Sequence, residues 1–435
     1  MKVPEGWKTV TLKETAARVT NSFIDGDWIE AEHITSEGIR FIQTGNIGMG
    51  TFIDKPDTRK FITSKSFKEL KCKSVYPGDL LICRLADPIG RTCLVPDLES
   101  VYVTSVDVVI FRVNSVNYNK LFLLYCLNRG ETLKKIAELA GGSTRQRVSR
   151  TNLERIEIYI PKEEIEQSKI AEILSIIDDA IDKTESLIQK YQRIKQGLMQ
   201  DLLTKGIDEH GNIRDEKTHK FKDSPLGRIP EEWEVFPLGK LCRVQGGYAF
   251  KSQDFKQDGI RIIKISNLQN EKVDSLDDDV FVSGDRVNIY KSYLICNNDM
   301  LIALSGATTG KIGRIKKDLL PVLLNQRVGR FKVFTDKADQ NFIYYLVTQH
   351  YFFSQIINNA PSSAQPNVSP GFIESIPIKC PKLDEQQRIV FILDSLDVKI
   401  EKEQTYKQKL LSSKLGLMED LLTGAIRVNH LIGKN

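Results

Sequence analysis

The stretch GLMQDLLTKGI at residues 197–207 returns nearly unchanged as GLMEDLLTGAI at residues 416–426, an offset of 219 (416 − 197). Further matches follow in the same order along the chain, at offsets of 219 to 226. They pair Gln167 with Gln386, Ile170 with Ile389, Leu174 with Leu393, Asp79 with Asp299, Gly90 with Gly310 and Trp7 with Trp233. A colinear series of this kind indicates a tandem duplication, in which each copy fills about half of the chain.

The repeated stretch ends a long amphipathic pattern. Residues 162–205 contain no proline and a single glycine, Gly197, and their apolar residues recur at intervals of three and four. This spacing predicts a helix about 60 Å long, and residues 382–425 predict a second one. We expect the two helices to pair as a coiled coil through Ile170, Ile173, Leu174, Ile177, Ile181, Ile188, Ile389, Leu393, Leu396 and Ile400. The alternative is that each helix packs only on its own domain.

The residues before each helix mix short β-rich runs, such as VYVTSVDVVIFRV at 101–113, with an apolar helical segment, such as 121–140. The predicted fold class is therefore α+β, with two globular domains separated by a pair of long helices. If a pseudo-two-fold axis relates the copies, the helices run antiparallel with a domain at either end. The predicted boundaries are a first domain at 1–161, a first helix at 162–205, a linker at 206–228, a second domain at 229–381, a second helix at 382–425 and a tail at 426–435.

Composition narrows the class of protein. Among 435 residues, 62 are Lys or Arg and 57 are Asp or Glu, so a net charge of +5 permits nucleic-acid binding without requiring it. The seven cysteines form no C-x-x-C pair, which argues against a zinc site or a disulfide framework. There is no apolar stretch of transmembrane length and no apolar core of a signal peptide at the start. We expect a protein of the reducing cytoplasm.

Two motifs suggest enzymatic chemistry, and neither carries it. The segment from Ser305 to Lys311 resembles a phosphate-binding loop, but three residues rather than four separate its glycines, and Ile312 follows the lysine. Asp57, Glu69 and Lys71 resemble the carboxylate and lysine set of a magnesium nuclease. We interpret this set as a chance match and assign no catalytic residue and no metal site. A self-sufficient nuclease remains an alternative hypothesis.

Three pairs of polar loops are the candidate DNA-binding site. Arg can bind guanine through two hydrogen bonds, Gln can bind adenine, and hydroxyl groups suit phosphates. Loop 1 covers residues 43–46 and 266–269, loop 2 covers 84–91 and 304–311, and loop 3 covers 141–147 and 361–367. In the first copy the candidates are Gln43, Thr44, Asn46, Arg84, Arg91, Ser143, Thr144, Arg145, Gln146 and Arg147. In the second they are Asn267, Gln269, Ser305, Thr308, Thr309, Lys311, Ser362, Ser363, Gln365 and Asn367.

These loops differ between the copies, so they predict two unlike half-sites at a distance that the long helices set, near one helical turn of DNA or about 34 Å. A family resemblance points the same way. Its carriers are YPGDLLICR at 76–84, NNDMLIALSGATTGKIG at 297–313, and the helix starts at 161–174 and 381–393 with their GLM-x-DLLT ends. Over essentially its whole length the chain resembles the specificity (S) subunit of type I restriction–modification enzymes.

The resemblance implies two target recognition domains, each reading one half of a split, asymmetric site in double-stranded DNA. It implies that the long helices fix the gap and dock two modification (methyltransferase) subunits, which bind S-adenosylmethionine and methylate adenine. Two restriction subunits would supply translocation and cleavage with ATP and magnesium, so no cofactor is expected in this chain.

One segment departs from the pattern, because residues 84–89 (RLADPI) stand where the second copy has small residues at 304–309. This leaves the conformation of loop 2 in the first copy open. A third hypothesis also stays open, namely a coiled-coil scaffold whose paired domains bind protein rather than DNA.

Overall fold

The repeated stretch that ends each copy forms the last turns of a long helix, Glu164–Leu202 in the first copy and Leu383–Leu422 in the second. The computed structural model describes residues 3–97, 101–142, 144–269, 271–359 and 367–433. The chain divides into two units, one made of residues 1–186 and 403–435, the other of residues 187–402. Each unit therefore contains a part of both long helices. In the described ranges no helix is both long and apolar enough to cross a membrane.

The described part of the first unit holds three small sheets. A two-stranded antiparallel pair joins Trp7–Thr11 to Glu157–Pro161. An antiparallel four-stranded sheet has the order Phe23–Asp25, Val108–Phe111, Leu80–Cys83 and Thr92–Leu94. A second four-stranded sheet has the order Ile34–Thr35, Lys60–Ile62, Ile39–Ile42 and Tyr102–Thr104, and its last two strands are parallel. The shorter helices are Leu12–Thr15, Ser64–Glu69, Lys120–Leu127, Gly130–Glu138 and Arg150–Glu154.

The second unit repeats this plan with a larger main sheet. Glu234–Pro237 pairs with Pro377–Cys380. A six-stranded sheet has the order Cys242–Gly246, Val328–Val333, Met300–Ala303, Ile312–Arg314, Glu271–Val273 and Leu268–Gln269. A three-stranded sheet has the order Val280–Val282, Ile260–Ile263 and Val322–Leu324. Phe221–Lys222 pairs with Ile229–Pro230, and the shorter helices are Gln340–Val347, His350–Asn359 and Pro370–Ser375.

The long helices run antiparallel in the first unit, as their ion pairs show. Residue numbers rise along one helix while the numbers of their partners on the other helix fall. Asp178 pairs with Lys414 and Glu185 with Lys407, each at 2.5 Å. In the second unit Lys195 lies 2.5 Å from Asp397. The α+β class and the paired long helices predicted from the sequence are thus confirmed.

The GLM-x-DLLT stretch contributes core residues to the domain of the other copy. In the first unit, Met418 and Leu421 are buried in the same cluster as Trp7. In the second unit, Leu202 is buried with Trp233. Burying a side chain of this size contributes roughly 1.5–3 kcal/mol. The close repetition of this stretch reflects two equivalent packing positions.

Most of the predicted pairing residues are enclosed, and some of them face a domain. Those buried are Ile170, Leu174, Ile188, Ile389, Leu393, Leu396 and Ile400, whereas Ile173, Ile177 and Ile181 are half-buried. Ile170 and Leu174 belong to the domain core of the first unit, and Ile389 and Leu393 belong to that of the second. Each long helix therefore packs on a domain as well as on the other helix, which combines the two arrangements considered from the sequence.

A repeated glutamine explains how each helix start is held on its domain. Gln167 donates from Nε2 to the carbonyl of Pro161 at 3.0 Å, and its Oε1 accepts from the Asn119 backbone at 3.0 Å. Gln386 donates to the Pro381 carbonyl and accepts from the Asp339 backbone, also at 3.0 Å each. Asn119 and Asp339 are the N-caps of the helices Lys120–Leu127 and Gln340–Val347.

The segment predicted as a linker is folded against the start of the second long helix. Ile207 is buried, and its backbone N–H donates to Glu385 at 3.0 Å. Arg214 is buried in an ion pair with the same carboxylate. Arg388 donates to the Asp208 carbonyl at 2.7 Å. These contacts give residues 207–214 a fixed path within the second unit.

Candidate nucleic-acid interface

The three candidate loops of the first unit meet, although 40 to 100 residues separate them along the chain. Thr44, Leu85, Ala86, Thr144, Arg145 and Gln146 line one cleft of about 490 Å³. Leu85 also forms an antiparallel bridge with Arg147, which ties loop 2 to loop 3. The structure therefore brings together residues that the sequence singled out separately.

Arg91 holds loops 1 and 2 together. Its guanidinium donates to the carbonyls of Ile47 at 2.8 Å and of Thr44, Leu85 and Pro88 at 3.1 Å. Four backbone acceptors occupy the donors that a base edge would need. Arg91 thus braces the loops in this structure, and its role as a DNA contact stays a prediction.

Arg84 is also engaged within the unit, and its role as a DNA contact stays a prediction. It is 7% exposed, and it donates to Asp25 at 2.6 Å and to the carbonyl of Val148 at 2.9 Å. Burial lowers the pKa of the guanidinium, and the carboxylate of Asp25 opposes that shift. The residue lies beneath the loops and holds the end of loop 3, so its charge is directed inward.

Asn46 and Asn267 are hydrogen-bonded within their own loops. The Oδ1 of Asn46 accepts from the Gln43 backbone at 2.9 Å, and its Nδ2 donates to Ile53 at 2.9 Å. Asn267 repeats both bonds, with the Lys264 backbone at 2.8 Å and the Asp274 carbonyl at 2.9 Å. Both side chains are buried, because each closes a single turn of 3₁₀ helix from within. Sequence alone does not show this burial, because an amide in a polar loop has the same appearance whichever way it points, and the two DNA-contact assignments stay predictions.

The exposed candidates of the first unit are concentrated in loop 3. Thr144, Arg145 and Gln146 are exposed, while Gln43 and Thr44 of loop 1 are half-buried. Arg147 forms an ion pair with Asp107 at 2.8 Å and donates to the carbonyl of Val106 at 3.2 Å. Ser143 lies outside the described residues. Arg145 is therefore the candidate arginine of this unit that projects into solvent.

Loop 2 of the second unit has the same contacts with different side chains. Thr308 donates at 3.4 Å to the carbonyl of Ile265, the residue directly before loop 1. Ser305 of loop 2 forms a bridge with Asn367 of loop 3. Thr309 is buried and donates to the carbonyl of Gly306 at 2.7 Å, and its role as a DNA contact stays a prediction. Lys311, Gln269 and Asn367 are exposed. Ser362, Ser363 and Gln365 lie outside the described residues.

The backbone frame of loop 2 is conserved between the units in spite of the unlike segment at 84–89. In the first unit the Gly90 N–H donates to the Cys83 carbonyl at 2.8 Å, and the Cys83 N–H donates to the Arg91 carbonyl at 2.9 Å. In the second unit the Gly310 N–H donates to the Ala303 carbonyl and the Ala303 N–H to the Lys311 carbonyl, both at 2.9 Å. Both glycines have positive φ, +89° and +82°. A Cβ on Gly90 would lie 2.7 Å from Ile136. Glycine is required at this position because of both its conformation and its close neighbour.

Sequence reasoning missed a fourth pair of loops, the turns at 105–107 and 325–327. Residues 101–113 were read as one β-rich run, but Tyr102–Thr104 and Val108–Phe111 are strands of different sheets. The turn between them accepts hydrogen bonds from the loop cluster, since the Arg84 N–H donates to the carbonyl of Asp107 at 2.9 Å and the Arg147 side chain donates to that of Val106 at 3.2 Å. The signal available was NQR at 325–327, a polar triplet between the apolar strands VLL and VGRFKV.

The residues of the nuclease-like set lie on the surface. Asp57, Glu69 and Lys71 are all exposed, and Glu69 lies 3.7 Å from Lys65 on the surface of its own helix. In the part of the chain that the structure describes, no group of three or more His, Cys, Asp or Glu side chains could hold a metal ion.

Comparison with known proteins supports the duplication and gives it a family. A model of the type I restriction modification DNA specificity domain matches residues 4–195 and again residues 230–412. The MjaVIII specificity subunit of Methanocaldococcus jannaschii is 33% identical over 314 residues, which cover 72% of this chain and 71% of that protein. The EcoAI specificity subunit of Escherichia coli is 30% identical over 201 residues, which cover 46% of this chain and 34% of that protein.

Solved structures agree in fold. The S subunit of a type I restriction–modification system from M. genitalium superposes with a TM-score of 0.59 at 16% identity, over 97% of this chain and 98% of its own. A protein from a structural study of type I system assembly superposes with a TM-score of 0.56 at 14% identity, over 98% of this chain and 100% of its own. With a domain matched twice and a relative 33% identical along most of its length, the chain belongs to the family of type I restriction–modification specificity subunits.

Proposed function

We propose that each of the two domains reads one half of a bipartite, asymmetric DNA site through its loop cluster. The observation that carries the proposal is a loop frame that occurs twice with the same backbone hydrogen bonds and different exposed side chains. A shared frame fixes where each loop lies, and the side chains that differ determine what each loop can bind. Arg145 and Gln146 in one unit, against Lys311 and Gln269 in the other, favour two unlike half-sites.

The long helices have a separate role in this proposal. They set the gap between the half-sites, and they dock two modification subunits. Those subunits bind S-adenosylmethionine and methylate adenine, and two restriction subunits use ATP and magnesium for translocation and cleavage. The specificity subunit contributes DNA recognition and no catalytic group, and the complex acts in the cytoplasm.

The decisive experiment is a methylome. The chain is co-expressed with the modification subunit of its system, and N6-methyladenine is mapped across the host genome. We expect a single split motif with two unlike halves and a constant gap. An unmethylated genome, with the assembled complex recovered by co-purification, would favour the scaffold hypothesis instead.

Two further measurements separate the alternatives. Affinity for DNA should fall steeply with salt on a log–log plot, because phosphate contacts release counterions, whereas a protein-binding scaffold would show little DNA binding at any salt concentration. For the nuclease hypothesis, the isolated chain is incubated with DNA and magnesium, and we expect no cleavage. Cleavage that Glu69→Ala abolishes would refute the non-catalytic assignment.

A further inference from the structure

The turn Asn325-Gln326-Arg327 of the second unit has a fixed backbone. The N–H of Gln326 donates to the carbonyl of Tyr248 at 2.9 Å, and the N–H of Val328 donates to the carbonyl of Asn325 at 2.9 Å. The turn connects two strands of different sheets, Val322–Leu324 and Val328–Val333. Its exposed side chains therefore project from a rigid base, which lowers the entropic cost of binding a ligand.

The turn belongs to the candidate interface. Leu304 links it to loop 3, because the Leu304 N–H donates to Arg327 at 2.9 Å and the Leu304 carbonyl accepts from Val368 at 2.8 Å. The next residue, Ser305, forms a bridge with Asn367. The turn thus lies beside loops 2 and 3 at the same edge of the unit.

The two units differ in charge at this position. Arg327 corresponds to Asp107 and Asn367 to Arg147, both at an offset of 220 (327 − 107 and 367 − 147). In the first unit the Asp107 carboxylate neutralises Arg147 at 2.8 Å. In the second unit an arginine occupies the turn and an asparagine stands in place of Arg147, so this position supplies no carboxylate.

Arg327 is exposed, and within the described ranges its guanidinium has no ion-pair partner. Neighbouring arginines of the same sheets are engaged, since Arg261 lies 2.8 Å from Asp279 and Arg330 lies 3.0 Å from Asp299. The turn therefore presents an available guanidinium beside two arginines, Arg261 and Arg330, that are used for structure.

We infer that Arg327 reads a guanine in the half-site bound by the second unit. The inference rests on the proposed function and adds to it a specificity-determining residue. The planar fork of a guanidinium matches the N7 and O6 acceptors of guanine in the major groove. In the first unit the corresponding role belongs to Arg145, on a different loop, because Asp107 neutralises Arg147.

The test compares methylomes of the co-expressed complex with wild-type, Arg327→Ala, Arg327→Lys and Arg243→Ala chains. For Arg327→Ala we expect one guanine of one half-site to become degenerate, with discrimination at that position falling about tenfold to a hundredfold. The other half-site and the gap should not change. Arg243 is the matched control. It is an exposed arginine on the strand Cys242–Gly246, where it pairs with Lys332 of the neighbouring strand. It lies about 10 Å along its strand from the end that leads into the loops. Arg243→Ala should give the wild-type motif.

Arg327→Lys keeps the charge and loses the fork, so we expect it to relax the same position. A lysine variant that restores the full motif would instead indicate a phosphate contact and would overturn the inference. So would an unchanged motif in Arg327→Ala, or degeneracy at a base other than guanine. Failure of the proposed function looks different, because the wild-type complex itself would then yield no split motif.

Discussion

Arg427 forms a two-pronged ion pair with Glu166, in which Nε lies 2.6 Å from Oε1 and Nη2 lies 2.8 Å from Oε2. Glu166 stands at the start of the first long helix, and Arg427 follows the end of the second. The second unit has the reciprocal pair, Arg214 after the first helix and Glu385 at the start of the second, with contacts of 2.5 and 3.1 Å. In each unit, then, a cation that follows one long helix neutralises a buried carboxylate at the start of the other.

Arg427→Ala should destabilise the first unit. The substitution removes the guanidinium from a carboxylate that is 3% exposed, and breaking a buried pair costs about 3–5 kcal/mol. Because the Arg427 side chain itself is 30% exposed, we expect the lower part of that range or slightly less, about 2–3 kcal/mol. Urea unfolding of the full chain measures it.

Lys65→Ala is the control for that variant. Lys65 and Glu69 form an exposed pair at 3.7 Å in the same unit, and removing it should change stability by less than about 0.5 kcal/mol. Equal, small effects of the two substitutions would show that the pair of Arg427 and Glu166 stabilises the unit no more than an exposed ion pair does.

Arg145→Ala should weaken recognition of one half-site and leave the other intact. Its exposed guanidinium belongs to loop 3 of the first unit, and loss of one good base contact costs about 1–3 kcal/mol. Binding to DNA duplexes with either half-site scrambled measures the effect, with Arg155→Ala as an exposed control outside loop 3. Equal loss at both halves would contradict a model with two separate reading domains.

Lengthening both long helices by four residues should widen the gap in the recognised motif. The insertions belong between Glu185 and Lys195 and between Asp397 and Lys407, so that the ion pairs on either side keep their partners. Four residues add about 6 Å, which corresponds to one or two base pairs at about 3.4 Å each. The half-sites should remain the same in the methylome.

Inserting four residues in one helix alone is the control for this experiment. That insertion lengthens one helix only, so the ion pairs on the two sides of the insertion can no longer form in the same register. We expect that variant to lose stability without a new motif. If the two-helix variant recognised the original gap, the helices would not be the spacer.

Tyr345→Phe should lower the stability of the second unit in a pH-dependent way. The hydroxyl lies 2.6 Å from Asp394 and 2.8 Å from Asp397, and burial, followed by these two carboxylates, raises the pKa of Tyr345. An unfolded tyrosine loses its proton near pH 10, so the hydroxyl stabilises the fold fully below about that pH. Its contribution is lost as the pH rises further.

At pH 8 the hydrogen bond to a carboxylate should contribute about 1.5–3 kcal/mol. We expect the difference between wild type and Tyr345→Phe to shrink above about pH 10, measured by urea unfolding across that range. Tyr406→Phe, at an exposed position of the second long helix, is the control and should change stability by less than about 0.5 kcal/mol. A constant difference would mean that the hydroxyl does not titrate as described.

The long helices could be predicted from sequence because their signal is local. Apolar residues at intervals of three and four identify a helix whatever surrounds it, and the helix 162–205 differs from Glu164–Leu202 by two or three residues at each end. The packing of Ile170 and Leu174 in the domain core, in addition to their predicted place in the helix pair, was not predictable in this way. They depend on which surfaces the rest of the chain brings to the helix.

The candidate site was predictable in its loops but not in its side chains. Arg84, Arg91 and Arg145 are alike in sequence, and each stands in a polar loop. What separates them is the set of acceptors that folding brings near, such as the carbonyls of Thr44 and Ile47, more than 40 residues from Arg91. Charge alone cannot tell a guanidinium that braces a loop from one that is free to bind.

The exchange of helix ends between the copies has a consequence for synthesis on the ribosome. The second unit is a continuous segment, residues 187–402, so all of its parts are available once that segment has emerged. The first unit needs Met418 and Leu421 in its core and Arg427 at Glu166, and these are made more than 200 residues after the domain they complete. The usual order of folding during translation, N-terminal domain first, is therefore reversed in this chain, and the first domain to be made is the last to be finished.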